Sequence, residues 1–370
     1  MLKEIGSNFW ISPEELQTVS KEINVAGFGF KDIEFIWTSS CRGAISLAID
    51  DIELKKNNSK KIVLLPEYCC ETIIEPFVKK SYEISFYRIN EKLDVDIRNI
   101  IELLEECRNG IILIHKYFGF DSSNIPAEII SRIKSYNITI IEDRTQCLYS
   151  NIPLLDADYY VGSLRKWCGV PDGGFVAASD PFAIDKPSVV DTELEELKLK
   201  ASRLKYKYIV NDEGDKNAFL KLYGEAESKL DNHDKVYAIS DASVAIQNNL
   251  NVDDLIQRRR SNYEYLKAHL NIKCLFADAS SDIVPLYFPI VVDNRKRLQV
   301  ELRNHDIYAP IIWPMPDELK GISNHPLYES LLCLPIDQRY DEDDMERMSG
   351  VINEYYGGQD GLYCKMDELG

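Results

Sequence analysis

Histidine is scarce in this chain, five residues in 370, and the nine cysteines never form a Cys-x-x-Cys pair. Both facts work against a zinc centre, whose ligands are closely spaced Cys and His, and no metal ligation is expected. The cysteines are odd in number and scattered, with Cys69 and Cys70 adjacent, so they read as reduced thiols filling the core. Positive charge is also short: 43 Lys+Arg against 61 Asp+Glu leave a net charge of −18. That excludes the basic footprint of a nucleic-acid partner or of an anionic membrane surface. No apolar run reaches the roughly 20 residues of a transmembrane helix, and the start Met1–Gly6 shows no signal-peptide apolar region, so a cytoplasmic location is expected. A Gly-x-Gly-x-x-Gly turn after the first strand is missing as well, which ranks a nicotinamide-dependent oxidoreductase low. What remains, 45% hydrophobic and 28% charged, is the composition of a globular chain with room for more than one lobe.

The periodicity alternates between strand and helix. Lys61–Pro66, Ile84–Tyr87, Ile111–His115, Ile138–Asp143, Tyr159–Ser163 and Phe175–Ala178 read as strands. Helical spacing starts near Cys41 or Arg42, and recurs over Asn99–Cys107 and Pro126–Tyr136. Such alternation implies crossover connections, a largely parallel sheet, and ligands at the C-terminal strand edge. His115 falls on that edge, but a lone strand-end histidine is usually a satisfied core group and receives no catalytic role. Residues 186 to 235 are highly charged, with helices expected at about 190–207 and 216–230, as an excursion over the domain. A helix over Val252–Leu270 leads into an α+β region with strands near Leu286–Val292 and Leu332–Pro335, and helices near Arg295–Asn304 and Asp343–Tyr356. Two domains follow, 1–250 and a smaller one over 251–370. Trp313 in the loop Trp313-Pro314-Met315-Pro316 suits either a pocket wall or half-buried packing.

The chemistry concentrates between Ile138 and Ala178. The run Ile138–Asp143 delivers Asp143 to a strand end, and 23 residues later Lys166 stands on a turn between Ser163 and the pair Gly173-Gly174. Singly, Asp143 is an ordinary cap and Lys166 an ordinary surface lysine. Together they suit pyridoxal 5'-phosphate, which needs a lysine for its Schiff base and a carboxylate against its ring nitrogen. Ser40, Cys41 and Arg42 open a helix, whose free N–H groups and dipole suit a phosphate, an ordinary serine cap being the commoner case for such a turn alone.

These pieces, with Thr38–Ile45, Leu64–Tyr68, His115–Gly119, Ile141–Gln146 and Leu334–Arg339, resemble in order and spacing the DegT/StrS-type sugar aminotransferases of pyridoxal phosphate fold type I. The resemblance implies a mostly parallel central sheet flanked by helices with a smaller α+β C-terminal domain. It implies Lys166 as the cofactor lysine and Asp143 on the ring nitrogen. Gln146 would lie at the phenolic edge, and Ser163 with the Ser40–Arg42 turn on the phosphate. An aromatic residue normally stacks on the ring, at a place that here falls on Cys69 or Cys70, so Tyr68 or Tyr117 takes that role or none does. A second departure is Cys41 where the family has glycine. The family implies a homodimer with composite sites, and aromatic segments at the N-terminus and near Tyr237 point the same way. The stretch Tyr237–Asp241 would cross the interface, although the asparagine that usually reaches the partner's phosphate is not evident. The implied reaction moves an amino group, from glutamate by resemblance, to a nucleotide-linked keto-sugar in surface-polysaccharide or amino-sugar biosynthesis. Rivals are a pyridoxal phosphate reaction on a small keto compound and a non-catalytic cofactor-binding protein. Dehydratases resembling this family carry histidine in place of the cofactor lysine, so an intact Lys166 favours transamination.

Overall fold

The computed structural model describes residues 4–17, 22–25, 27–31, 33–56, 60–123, 125–272, 274–276 and 280–357. Its centre is a seven-stranded sheet of β1 (Glu34–Thr38), β2 (Ile62–Pro66), β3 (Glu83–Tyr87), β4 (Ile111–His115), β5 (Thr139–Asp143), β6 (Tyr159–Ser163) and β7 (Gly174–Ala178). The spatial order is β1-β7-β6-β5-β4-β2-β3, and only β7 runs against the rest. Strands β2, β4, β5, β6 and β7 are buried along their whole length, as expected of β-branched and aliphatic runs covered on both faces. Crossovers are made by α1 (Cys41–Lys55), α2 (Glu71–Lys79), α3 (Ile97–Leu103) and α4 (Ala127–Ser135).

Strand β1, helix α2 and the later helix Asp241–Asn249 are among the elements that lay outside the sequence reading. Strand β1 is a sheet edge whose half-buried Phe35 and Trp37 stack at 5.3 Å, so its pattern lacks the apolar density of the central strands. Helix α2 carries Pro76 in its interior, which argues against a helix from sequence.

After β7 the chain forms an antiparallel-running helix pair, α5 (Thr192–Val210) and α6 (Lys216–Asp231), closed by two small clusters, Leu194/Ala226/Leu230 and Ala201/Phe219/Tyr223. Helices α7 (Asp241–Asn249) and α8 (Val252–His269) follow. The antiparallel pair β8 (Phe288–Val291) and β9 (Leu331–Leu334) then packs with α9 (Arg295–Asn304) and α10 (Glu342–Gly357). The N-terminal strand pair Ile5–Gly6 with Ile307–Tyr308 brings the lead-in back to this region. Its aromatics are used within the chain: Phe28 stacks on Phe175 at 6.0 Å, and Phe30 meets Phe35, Tyr160 and Phe175 edge-on. The lead-in aromatics therefore supply no argument for a second subunit. Among the described residues no helix is long and apolar enough to cross a membrane. Eight cysteines are free thiols, and Cys364 lies outside the described residues.

Candidate active site

Parallel register sets the site. His115 on β4 pairs with Asp143 on β5, which pairs with Val161 on β6, so the ends of adjacent strands lie side by side. Asp143 is buried, its Oδ1 accepting the Thr145 N–H at 2.9 Å and its Oδ2 lying 2.9 Å from His115 Nδ1. Burial pushes the carboxyl pKa up, but the His115 and Thr145 interactions outweigh it and hold the group below its ordinary value. The other ring nitrogen, His115 Nε2, is buried without a hydrogen-bond partner, and His115 lines the cavity described below.

Lys166 ends a short 3-10 turn, Leu164–Lys166, after β6. The next residue, Trp167, is fully buried and donates its indole N–H to the Thr145 carbonyl at 2.9 Å, which couples the lysine turn to the Asp143 turn. Gln338 donates to the Trp167 carbonyl at 2.7 Å, and the Arg259 guanidinium lies 4.8 Å from the indole centroid. The far end of the turn is tied by Asp172, which accepts from Ser240 N–H at 3.2 Å, Ser240 Oγ at 2.9 Å and Ser243 Oγ at 2.5 Å at the start of α7. The double glycine now has a cause. Gly173 has φ +125° and donates its N–H to the Ser39 carbonyl at 2.8 Å. A Cβ on Gly174 would lie 2.3 Å from the Ser40 carbonyl carbon. Only glycine lets β7 pass this close to the Ser39–Cys41 turn.

That turn opens α1. Ser40 caps it, its Oγ accepting the Gly43 N–H at 3.1 Å, while the N–H groups of Cys41 and Arg42 have no acceptor within the helix. Cys41 Sγ accepts from Thr145 Oγ1 at 3.4 Å, and burial pushes its thiol pKa well up. Arg42 is turned to Glu75 at 2.8 Å and Asp231 at 2.9 Å. Ser163 Oγ is 3.4 Å from the Gly173 carbonyl.

Ser40, Cys41, Arg42, Cys70, Asp143, Ser163 and Lys166 line one cavity of about 460 Å³. Two candidates stand behind its wall. Tyr68 is fully buried among Tyr117, Trp313, His325 and Tyr328, with its hydroxyl bonded to the Ile312 carbonyl, so its ring is committed to packing. Gln146 accepts the Phe118 N–H at 2.8 Å and also lies outside the lining. Cys69 is buried, whereas Cys70 caps α2 and faces the cavity, its Sγ accepting from Thr72 at 3.1 Å. Trp313 lines the cavity and is packed as well.

The sequence reading missed the opposite wall. Lys198, Leu199, Ser202, Tyr223, Glu227 and Asp231 come from α5 and α6, and Ser7–Phe9 from the lead-in. Arg165 and Lys198 both reach Glu227 Oε1, the first at 2.5 Å. Nothing local marks these positions, since charged residues on an amphipathic helix ordinarily face water. Among the described residues no cluster suited to a metal ion is found.

No family model and no curated protein matches the sequence. Solved structures share the fold. PseC of Helicobacter pylori, described as an aminotransferase involved in the biosynthesis of pseudoaminic acid, aligns at TM-score 0.66 and 14% identity, covering 96% of this chain and 100% of that one. The aminotransferase TlmJ of Streptoalloteichus hindustanus aligns at 0.64 and 15%, covering 90% and 89%. The sugar aminotransferase CalS13 of Micromonospora echinospora gives 0.59 and 15%, covering 86% and 87%. The chain has the fold of these aminotransferases.

Proposed function

We propose that this chain is a pyridoxal phosphate-dependent aminotransferase acting on a sugar. The observation that carries the reading is the placement of Lys166 and Asp143 in one cavity, their turns joined by the Trp167–Thr145 hydrogen bond. The residues suit the cofactor on their own chemistry. Asp143 is a buried carboxylate held in its charged form, and its two used oxygens keep further acceptor sites for a ring N–H. The capped start of α1 offers N–H groups to a phosphate, with Ser163 beside it on the cavity wall.

When bound, the cofactor supplies an electron sink that stabilises negative charge at the substrate carbon. Lys166 would hold the cofactor and is placed to move a proton at that carbon. Asp143 would lie against the ring nitrogen, and His115 behind it holds the Asp143 carboxylate charged and oriented. Gln146, its carbonyl oxygen engaged by Phe118, supports the turn that follows Asp143 from behind the cavity wall. Of Cys69 and Cys70, on one of which the resemblance places a stacked ring, Cys69 is buried and Cys70 faces the cavity with its thiol. The acceptor in this reading is a nucleotide-linked keto-sugar, which the fold shared with the sugar aminotransferase CalS13 supports, and the amino donor is glutamate by the family resemblance alone. The division into residues 1–250 and 251–370 and a cytoplasmic location belong to the same proposal. So does a homodimer, for which light scattering should give about twice the 42.5 kDa chain mass. A stable active monomer would exclude it.

The test is the absorbance spectrum of the protein supplied with cofactor, followed by borohydride reduction and peptide mapping. A pyridoxyl group on Lys166, and a band that glutamate converts and a keto-sugar nucleotide restores, are the expected results. A label on another lysine refutes the assignment. Restoration only by small keto acids removes the sugar.

A further inference from the structure

Two cations of the cavity share a single carboxylate oxygen. Arg165 directly precedes Lys166, Lys198 projects from α5, and both reach Glu227 Oε1 on α6. The Lys198 side chain is only 7% exposed. Burial, with the like charge of Arg165 beside it, brings its pKa down to about 8, whereas Glu227 is held at about 2 once the two cations overcome its own burial. One turn further along α6, Asp231 serves Arg42 together with Glu75. Arg42 shares Glu75 with Lys79 and has Asp231 beside it, while Arg165 and Lys198 have Glu227 between them, so these four cations face three carboxylates and the group keeps an excess positive charge. A buried Lys198 beside a half-buried Arg165, with incomplete neutralisation, is costly for stability, and such arrangements cluster at ligand sites. The Glu227 side chain is 42% exposed and reaches in from the helix pair, so it can swing to solvent without disturbing the strand edge.

We propose that Arg165 and Lys198 form an anion subsite of this cavity, which receives a carboxylate or phosphoryl group of the substrate in exchange for Glu227, an internal counter-ion. Either group offers two or more oxygens to a guanidinium fork and an ammonium. The α1 start and Ser163 are already assigned to the cofactor phosphate, and the Arg165–Lys198 pair lies on the wall formed with α5 and α6. The inference rests on reading the cavity as the substrate site, but its test does not depend on turnover.

Isothermal titration calorimetry of the full chain, with cofactor present, uses inorganic phosphate in one arm and succinate in the other. Glu227→Gln removes the competing carboxylate and should tighten binding of the favoured anion on the order of tenfold, while Arg165→Gln and Lys198→Gln should each weaken it by a similar factor. Lys198→Arg keeps the charge and should retain binding, which separates loss of charge from loss of fold. The arm that responds names the group. A Glu227→Gln variant that binds neither anion more tightly overturns the proposal, as does binding indifferent to Arg165→Gln and Lys198→Gln. If Lys166 takes no cofactor label yet anions follow this pattern, the subsite stands and the aminotransferase reading falls.

Discussion

His115 is the side chain whose role changed most between sequence and structure. As a lone strand-end histidine it carried no signal. In the register of β4 and β5 it stands opposite Asp143 and bonds it at 2.9 Å. Two parallel strands ending in phase are enough to bring such a pair together, but register is a tertiary property and is not written in either strand. Asp143 and Lys166 could be read because each occupies a strand end or turn with its own local grammar, whereas Tyr68 was placed by analogy and the structure packs it into an aromatic cluster. The His115–Asp143 pair makes a directional prediction. Asp143→Asn should keep the fold and bind cofactor but lose roughly a hundredfold or more in kcat, since a neutral amide cannot hold a cationic ring nitrogen. His115→Leu removes the interaction that holds Asp143 below its ordinary value, leaving burial to raise it. The acid limb of the kcat/KM profile should then move to higher pH. A merely structural histidine would lower activity without moving that limb.

At the scale of elements, most central strands and the helices α5, α6, α8, α9 and α10 were legible from periodicity, and α7 was not. Its role lies in the turn it holds. Asp172, read only as part of a glycine-rich stretch, is buried at the start of α7 on Ser240 and Ser243. Burial outweighs those hydrogen bonds and raises its pKa from 3.8 to about 6. The folded protein therefore holds this proton more tightly than the unfolded chain does. Asp172's contribution to stability is largest below the unfolded value and is lost as pH rises from about 4 to about 6, in total about 3 kcal/mol by linkage. Asp172→Asn removes that titration. Urea unfolding at pH 4.5 and pH 7 should show the variant gaining on the wild type as pH rises. Parallel pH slopes for the two proteins would show that Asp172 ionises freely in the fold. The same argument explains why Gly173-Gly174 was readable as a motif but not as a cause: the clash that excludes a side chain is with Ser40, about 134 residues earlier in the chain.

Across the whole molecule, three distant pieces of chain meet at one buried ion pair. Arg339 Nε lies 2.6 Å from Asp337 Oδ1, the two side chains 9% and 8% exposed. The guanidinium donates to the Asn8 carbonyl at 3.0 Å and to the Ser7 carbonyl at 3.4 Å, and stacks 4.1 Å from the Phe9 centroid and 4.7 Å from Trp10. From the other side Lys205 on α5 donates to the same Asn8 carbonyl at 2.7 Å, and Tyr223 on α6 to the Phe9 carbonyl at 2.7 Å. Ser7, Asn8 and Phe9 line the cavity, so this junction sets one of its walls from residues that no local pattern connects. Arg339→Met should cost about 3–5 kcal/mol, because it leaves Asp337 buried without its cation. Removing both charges, in Asp337→Asn with Arg339→Met, should cost less than the single change, since Asp337 is no longer a buried anion without Arg339, although buried Arg259 then loses the Asp337 charge that favours it. Both variants release Ser7–Phe9, and both should therefore weaken binding of a cavity ligand even where stability is recovered. Denaturant unfolding and ligand titration of the two proteins read these effects separately. A double variant as unstable as the sum of its two single changes would mean that the pair's hydrogen bonds, rather than its charge balance, hold the lead-in in place.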